Sequence, residues 1–224
     1  FGFPQFGDDS KVVPLPGTKL EIQEIDRLLR SKNVSTSLFM EYEASEENFT
    51  KLNSPNILHI ATHGFFLSDV DLGDNMIMGT NVSKANDNPL LRSGLLLSGA
   101  ASSLSDTPEI NAGNNGVLNA FEIMNLDLSG TGLVIMSACE TGNGEIVNGE
   151  GVYGLNRAFQ VAGADKIIMS LWKVDDEATK DLMTSFYRNW LEVNDAQLAF
   201  MNAQKQIKEK YSDPYYWGAF VMLN

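Results

Sequence analysis

Apolar residues recur along this chain in two rhythms. In "PGTKLEIQEIDRLLRSK" the residues Ile22, Ile25, Leu28 and Leu29 fall on one helical face after Pro16, Gly17 and a candidate N-cap, Thr18. An amphipathic helix is predicted there. A short strand, "STSLFMEY", and a helix, "SEENFTKL", are expected next. "NILHIATHGFF" then runs nearly unbroken in Ile and Leu between Pro55 and Gly64, which suits a buried strand with His63 at its exit. Residues 67–93 are rich in Asp, Asn, Ser and Gly and keep no period, so they read as a polar surface insertion. "GLLLSGA" resumes as a strand, "GVLNAFEIMNL" reads as a helix, and "GLVIMSAC" reads as a strand.

The last third is regular. "GVYGLNRAFQVAGA" carries Val152, Leu155, Phe159 and Ala162 on one helical face, and "DKIIMSLW" is a strand. "DDEATKDLMTSFYRNW" is a helix with Met183, Phe186 and Trp190 inward, and "DAQLAFMNAQKQIKEKY" is a final helix. Strands alternating with helices imply an α/β domain, its mostly parallel sheet covered by helices on both faces. We expect one domain over residues 1–224, without internal repeats. In such sheets ligands collect beyond the carboxyl ends of the strands. His63 and Cys139 both stand where strands are expected to end.

Composition narrows the function classes. A net charge of -13 argues against direct nucleic-acid binding, which needs clustered Lys and Arg, and makes basic peptides or basic partner surfaces the natural ligands. No apolar stretch approaches the roughly 18 residues of a membrane span, so no membrane partner is expected. The single cysteine excludes an intramolecular disulfide, and "FGFPQFGDDS" has no basic n-region or long apolar core. The expected location is cytoplasmic. The chain has no initiator methionine and reads as a piece of something longer.

Cys139 is followed by a glycine-bearing loop in "SACETGNG", a setting that can expose a thiol and leave backbone N–H groups to hold an oxyanion. It can equally be a small buried hydrophobe. Two imidazoles are available as a base, His59 and His63. His59 reads as a core histidine in mid-strand. His63, next to Gly64 at the strand exit, is the better base. Their spacing on a strand is not a helical metal pair, and neither a metal nor another cofactor is expected. Papain-like enzymes place the cysteine first, and a nucleophile elbow needs glycine where this chain has Ser137. Histidine before cysteine is the order found in caspases.

The run "ILHIATHGFF", "GLLLSGA", "MSACETGNG", "GEGVYGLNRAFQVAGADKIIMSLWKVDDEATKDLMTSFY" and "PYYWGAFVMLN" resembles the CHAT domain. That caspase-like peptidase module often follows tetratricopeptide repeats in bacterial proteins and is more distantly similar to separase. "PLPGTKLEIQEIDRLL" resembles its start, so the likeness spans nearly the whole chain. It implies a caspase-like three-layer sandwich and a cysteine endopeptidase acting on a protein or peptide substrate through His63 and Cys139. It also implies an oxyanion hole from the N–H groups of Gly64 and Cys139, and activity gated by a repeat region or partner. The alternative is an interaction or scaffold module that keeps the fold without the chemistry.

The same resemblance implies a substrate strand beside "MSLWKV", bordered by Ser170, Leu171 and Trp172, although Trp172 can equally be core. Asp175 and Asp176 open the next helix. They fit an N-cap and first turn, or a pocket for a basic P1 residue.

Overall fold

The computed structural model describes residues 1–7, 12–66, 76–77, 80–81, 89–104, 114–137, 139–140, 150–172 and 174–224. For 66, 76–77, 80–81, 89, 139–140 and 150–153 the description covers the backbone. The chain is mixed α/β. It begins with β1 (Gly2–Pro4), α1 (Pro16–Ser31), β2 (Met40–Glu41), α2 (Glu46–Thr50), β3 (Ile57–Ile60) and β4 (His63–Phe66). A small hairpin, β5 (Met76–Ile77) and β6 (Thr80–Asn81), lies in the stretch read as an insertion, most of which is outside the described residues. Then come β7 (Ser93–Leu96), α3 (Ala100–Ser103), β8 (Val117–Asn119), α4 (Ala120–Ile123), β9 (Leu133–Met136) and β10 (Cys139–Glu140). The chain closes with α5 (Glu150–Val161), β11 (Ile167–Ser170), α6 (Asp176–Val193), α7 (Ala196–Lys210), α8 (Pro214–Trp217) and β12 (Phe220–Leu223).

The principal sheet has the order β12-β11-β9-β3, parallel except at β12. Its free edge meets β1: the Ala61 N–H donates to the Phe1 carbonyl at 2.8 Å, and Gly2 bridges Ala61 in parallel. A second sheet, β10-β4-β7-β8, is parallel only between β10 and β4, so the expected parallel character belongs to the principal sheet.

Two core clusters follow from the strand period of two. Val134 and Met136 of β9 and Ile167 and Met169 of β11 pack with Leu155, Ala158 and Phe159 of α5. Leu133, Ile135 and Ile168 pack instead with Ile25 and Leu29 of α1, Leu182, Met183 and Phe186 of α6, and Phe200 of α7. Central strands with both sides buried must be apolar throughout, and all four residues of β9 are buried. Burying a side chain such as Phe186 is worth about 1.5–3 kcal/mol.

Helix ends follow local chemistry. Asp175 accepts from the Ala178 N–H at 2.9 Å and Asp195 from that of Leu198 at 2.8 Å, while Asn119 and Glu122 form a reciprocal capping box. Thr18 is not the cap of α1: the helix opens at Pro16, and the Thr18 hydroxyl donates to the Leu15 carbonyl at 2.7 Å. Among the described residues no helix is long and apolar enough to cross a membrane.

Several expected elements are redrawn. "STSLFMEY" contributes only β2. The segment read as a helix over 116–126 begins as β8, because Val117 and Leu118 pair with Leu96 and Leu95 before Asn119 caps a four-residue helix. Sheet pairing overrides helical spacing there. "NILHIATHGFF" is two strands with a break at Ala61–Thr62, and His63 starts the second strand where an exit was expected. The buried Thr62 hydroxyl donates to the Leu96 carbonyl, tying the break to β7. Gly94 of β7 faces Phe65 so closely that an added Cβ would lie 2.6 Å from its ring, which lets β4 and β7 close together.

Candidate functional site

The break in β3–β4 has a counterpart in β9–β10. Ile60 pairs with Met136 and, three residues further on each line, His63 pairs in parallel with Cys139. Register is therefore kept across both breaks, and the Ser137 N–H donates to the Ile60 carbonyl at 2.9 Å at the joint. Adjacent strands lie about 4.8 Å apart, so positions 63 and 139 are immediate neighbours.

His63 is 3% exposed. Its Nε2–H donates to the Val13 carbonyl at 2.7 Å, and its ring lies 5.4 Å from the Phe6 ring. With Nε2 carrying the proton, Nδ1 is the basic nitrogen of the neutral imidazole. Gly64 pairs with Leu95 on one side and Glu140 on the other, so the two positions expected to supply oxyanion donors, Gly64 and Cys139, lie diagonally across one parallel pair.

His59, four residues earlier, has different surroundings. Its Nε2 is 2.9 Å from Glu21 Oε1 and 3.4 Å from Ser137 Oγ, and its Nδ1 is 3.2 Å from the Tyr187 hydroxyl. Glu21 and Tyr187 are 2% and 1% exposed. Burial, and then the Glu21 carboxylate, push the Tyr187 phenol far above its usual range. With Nε2–H turned to the Glu21 carboxylate, Nδ1 is left as the acceptor for the Tyr187 hydroxyl.

The residues expected to border a substrate lie at the carboxyl end of β11. Ser170 is buried and pairs with Phe220 of β12, and the N–H of the exposed Leu171 donates to the Ala219 carbonyl at 2.8 Å. One edge of this stretch is thus taken by β12. On the other edge the ladder with β9 ends at Met169–Met136, after which the β9 line continues into β10 beside β4. Trp172 is half-buried against the second cluster, with its indole N–H donating to the Tyr215 carbonyl at 3.3 Å. Asp175 is the N-cap of α6. Asp176 begins that helix against the start of α1, where a Cβ added at Gly17 would sit 2.8 Å from its own Cβ.

Among the described residues no three His, Cys, Asp or Glu side chains converge as a metal site. Sequence reasoning missed Val13, Phe6, Glu21, Tyr187 and Ser137. Glu21 had left a trace: it is an acid beside Ile22 on the buried face of an amphipathic helix, where acids are rare unless paired. A carbonyl acceptor such as that of Val13 leaves none.

The family model of the CHAT domain matches residues 1–224. Tetratricopeptide repeat protein 28 of Homo sapiens is 28% identical over 218 residues, covering 94% of this chain. The protein of the same name from Mus musculus is likewise 28% identical over 218 residues. The chain spans 8% of the length of each relative.

Proposed function

This chain belongs to the CHAT domain family, and from that membership we propose that it is a single caspase-like domain working as a cysteine endopeptidase. The observation that carries this reading is the parallel pairing of His63 with Cys139. The two core clusters on opposite sides of β9 and β11 support a three-layer arrangement, with α5 on one face and α1, α6 and α7 on the other.

In the proposed chemistry, Nδ1 of His63 takes the proton of the Cys139 thiol, and the thiolate forms a bond to the scissile carbonyl carbon. The carbonyl electron pair moves onto oxygen, where the N–H groups of Gly64 and Cys139 receive it; removing one such donor typically costs 10²–10³ in turnover. His63 then passes its proton to the leaving amine as the C–N bond breaks. Water, deprotonated by His63, hydrolyses the thioester and regenerates the thiol. The substrate pairs as an extended strand beside the end of β11, bordered by Ser170, Leu171 and Trp172. Asp176, exposed at the start of α6, is the candidate partner of a basic P1 side chain, since Asp175 already caps the helix.

A second reading, a scaffold module without activity, is favoured by the burial of His63 beneath Phe6 and against the Val13 carbonyl. The two readings join if that cover opens when a parent region or partner engages. An electrophilic peptide probe separates them: it labels the peptidase at Cys139 and leaves Cys139→Ala unlabelled. A folded protein that neither takes the probe nor cleaves a peptide library, alone or within its parent protein, is a scaffold.

A further inference from the structure

The polar group around His59 lies outside the proposed chemistry, yet it sits directly beneath it. Four elements meet there: Glu21 from α1, His59 from β3, Tyr187 from α6, and Ser137 at the point where β9 breaks. Its hydrogen bonds run in one direction. Tyr187 donates to Nδ1 of His59, and Nε2–H then donates to Glu21, with Ser137 Oγ at 3.4 Å. The Ser137 hydroxyl in turn lies 3.4 Å from the Ile60 carbonyl, the same oxygen that accepts the Ser137 N–H.

A buried carboxylate is costly unless it is paired and hydrogen-bonded, and apolar residues would fill the same space with less penalty. What an apolar filling cannot supply is direction. Ser137 is two residues before Cys139 and His59 is four before His63, so their contact spans the two strand lines at the level where both ladders break.

We infer that Glu21, His59, Ser137 and Tyr187 form a positioning brace that holds the two broken strand lines in the register setting position 63 beside position 139. The inference rests on the reading of His63 and Cys139 as base and nucleophile. The four are positioning residues and make no bond to the reacting atoms. They act through the backbone of the pair, where a displacement of about 1 Å can cost 10²-fold in rate.

The chain has one cysteine, so the rate of alkylation by iodoacetamide against pH reads Cys139 alone. In the wild type, a neighbouring His63 keeps labelling fast at pH values below the roughly 8.5 of a free thiol, and His63→Ala moves the profile upward. The brace requires that Ser137→Ala and His59→Gln move it the same way. Their kcat on a cleaved peptide should fall roughly tenfold while KM stays within about twofold. Glu21→Gln, which keeps an acceptor oxygen for Nε2, should stay near the wild-type profile, and Glu21→Ala should not. If His63→Ala shifts the profile while Ser137→Ala and folded His59→Gln keep the wild-type one, the brace is wrong and the base–nucleophile reading stands. If His63→Ala leaves the profile unmoved, that reading falls and the brace with it. Should His59→Gln not fold, Ser137→Ala, which deletes one hydroxyl, decides the matter.

Discussion

Two histidines four residues apart on one strand line divide the molecule into two regions. Below the break at Ala61–Thr62, the sheet of β3, β9 and β11 is apolar on both sides, and His59 is held by three side chains from three other elements. Above it, β4 and β10 are joined through a short parallel pairing, and His63 lies against the Val13 carbonyl and the Phe6 ring. The lower region is over-determined, as a foundation must be. In the upper region, one nitrogen of His63 is anchored by a carbonyl that no side-chain substitution removes. On the peptidase reading, stability and reactivity fall to different stretches of the same two strands.

The widest separation is expected from the histidines themselves. On the peptidase reading, His63→Ala should cost about 10²–10⁴-fold in turnover while its thermal midpoint stays near wild type. His59→Ala, which strips Glu21 and Tyr187 of their partner, should lower the midpoint by several degrees in calorimetry, since an orphaned buried polar group costs about 1–3 kcal/mol. A stable His59→Ala beside an unfolded His63→Ala would invert the comparison.

Next comes the packing below the break. Phe186→Ala empties a fully buried position facing Leu133, Ile135 and Ile168 and should cost about 3–5 kcal/mol in denaturant unfolding. Phe6→Ala, in the upper region, should cost less and should speed alkylation of Cys139 if the cover over His63 gates the site. Equal stability losses for the two phenylalanines would remove the distinction between foundation and cover.

Asp175→Ala should cost about 1 kcal/mol through the lost cap of α6, and Asp175→Asn much less, because asparagine keeps an acceptor for the Ala178 N–H. On the proposed substrate reading, Asp176→Asn lowers the preference for Arg over Met at P1, measured as kcat/KM, and Asp175→Asn leaves it unchanged.

The smallest effect is a pH dependence far from the site. Burial raises the Asp181 pKa, but hydrogen bonds from Lys210 and Tyr211 outweigh it and hold the carboxyl below its ordinary 3.8. A depressed folded-state pKa contributes stability above the unfolded value, and that contribution is lost as pH falls through the folded one. Asp181→Asn should therefore cost under about 1 kcal/mol at neutral pH, because the pair is partly solvated, and the difference should fade below about pH 3.8. A difference that persisted at lower pH would show that packing, not charge, links α6 to α7 here.

Much of the scaffold was legible in the residues. β9 and β11 are four-residue apolar runs, α6 and α7 keep a helical period, and their boundaries match expectation to within a few residues because burial on both sides of a strand or one face of a helix dictates those patterns. The order of His63 and Cys139 was also readable, but not that each begins a second short strand after a break where a strand end was expected. β12 and β8 are not legible in this way, because short apolar segments fit either period until a partner strand claims them.

What the sequence by itself determined is the set of apolar faces, the cap at Asp175, and the candidate chemistry of one thiol and two imidazoles. These are local properties, written in residue type and spacing. Only the tertiary structure decided which histidine stands beside Cys139, that the Val13 carbonyl anchors Nε2 of His63, and that Glu21, Ser137 and Tyr187 converge on His59. Those contacts join residues up to 128 positions apart. They depend on strand register and on a matched break in two strands, which no periodicity encodes, because register is set by what each strand packs against and not by the strand alone.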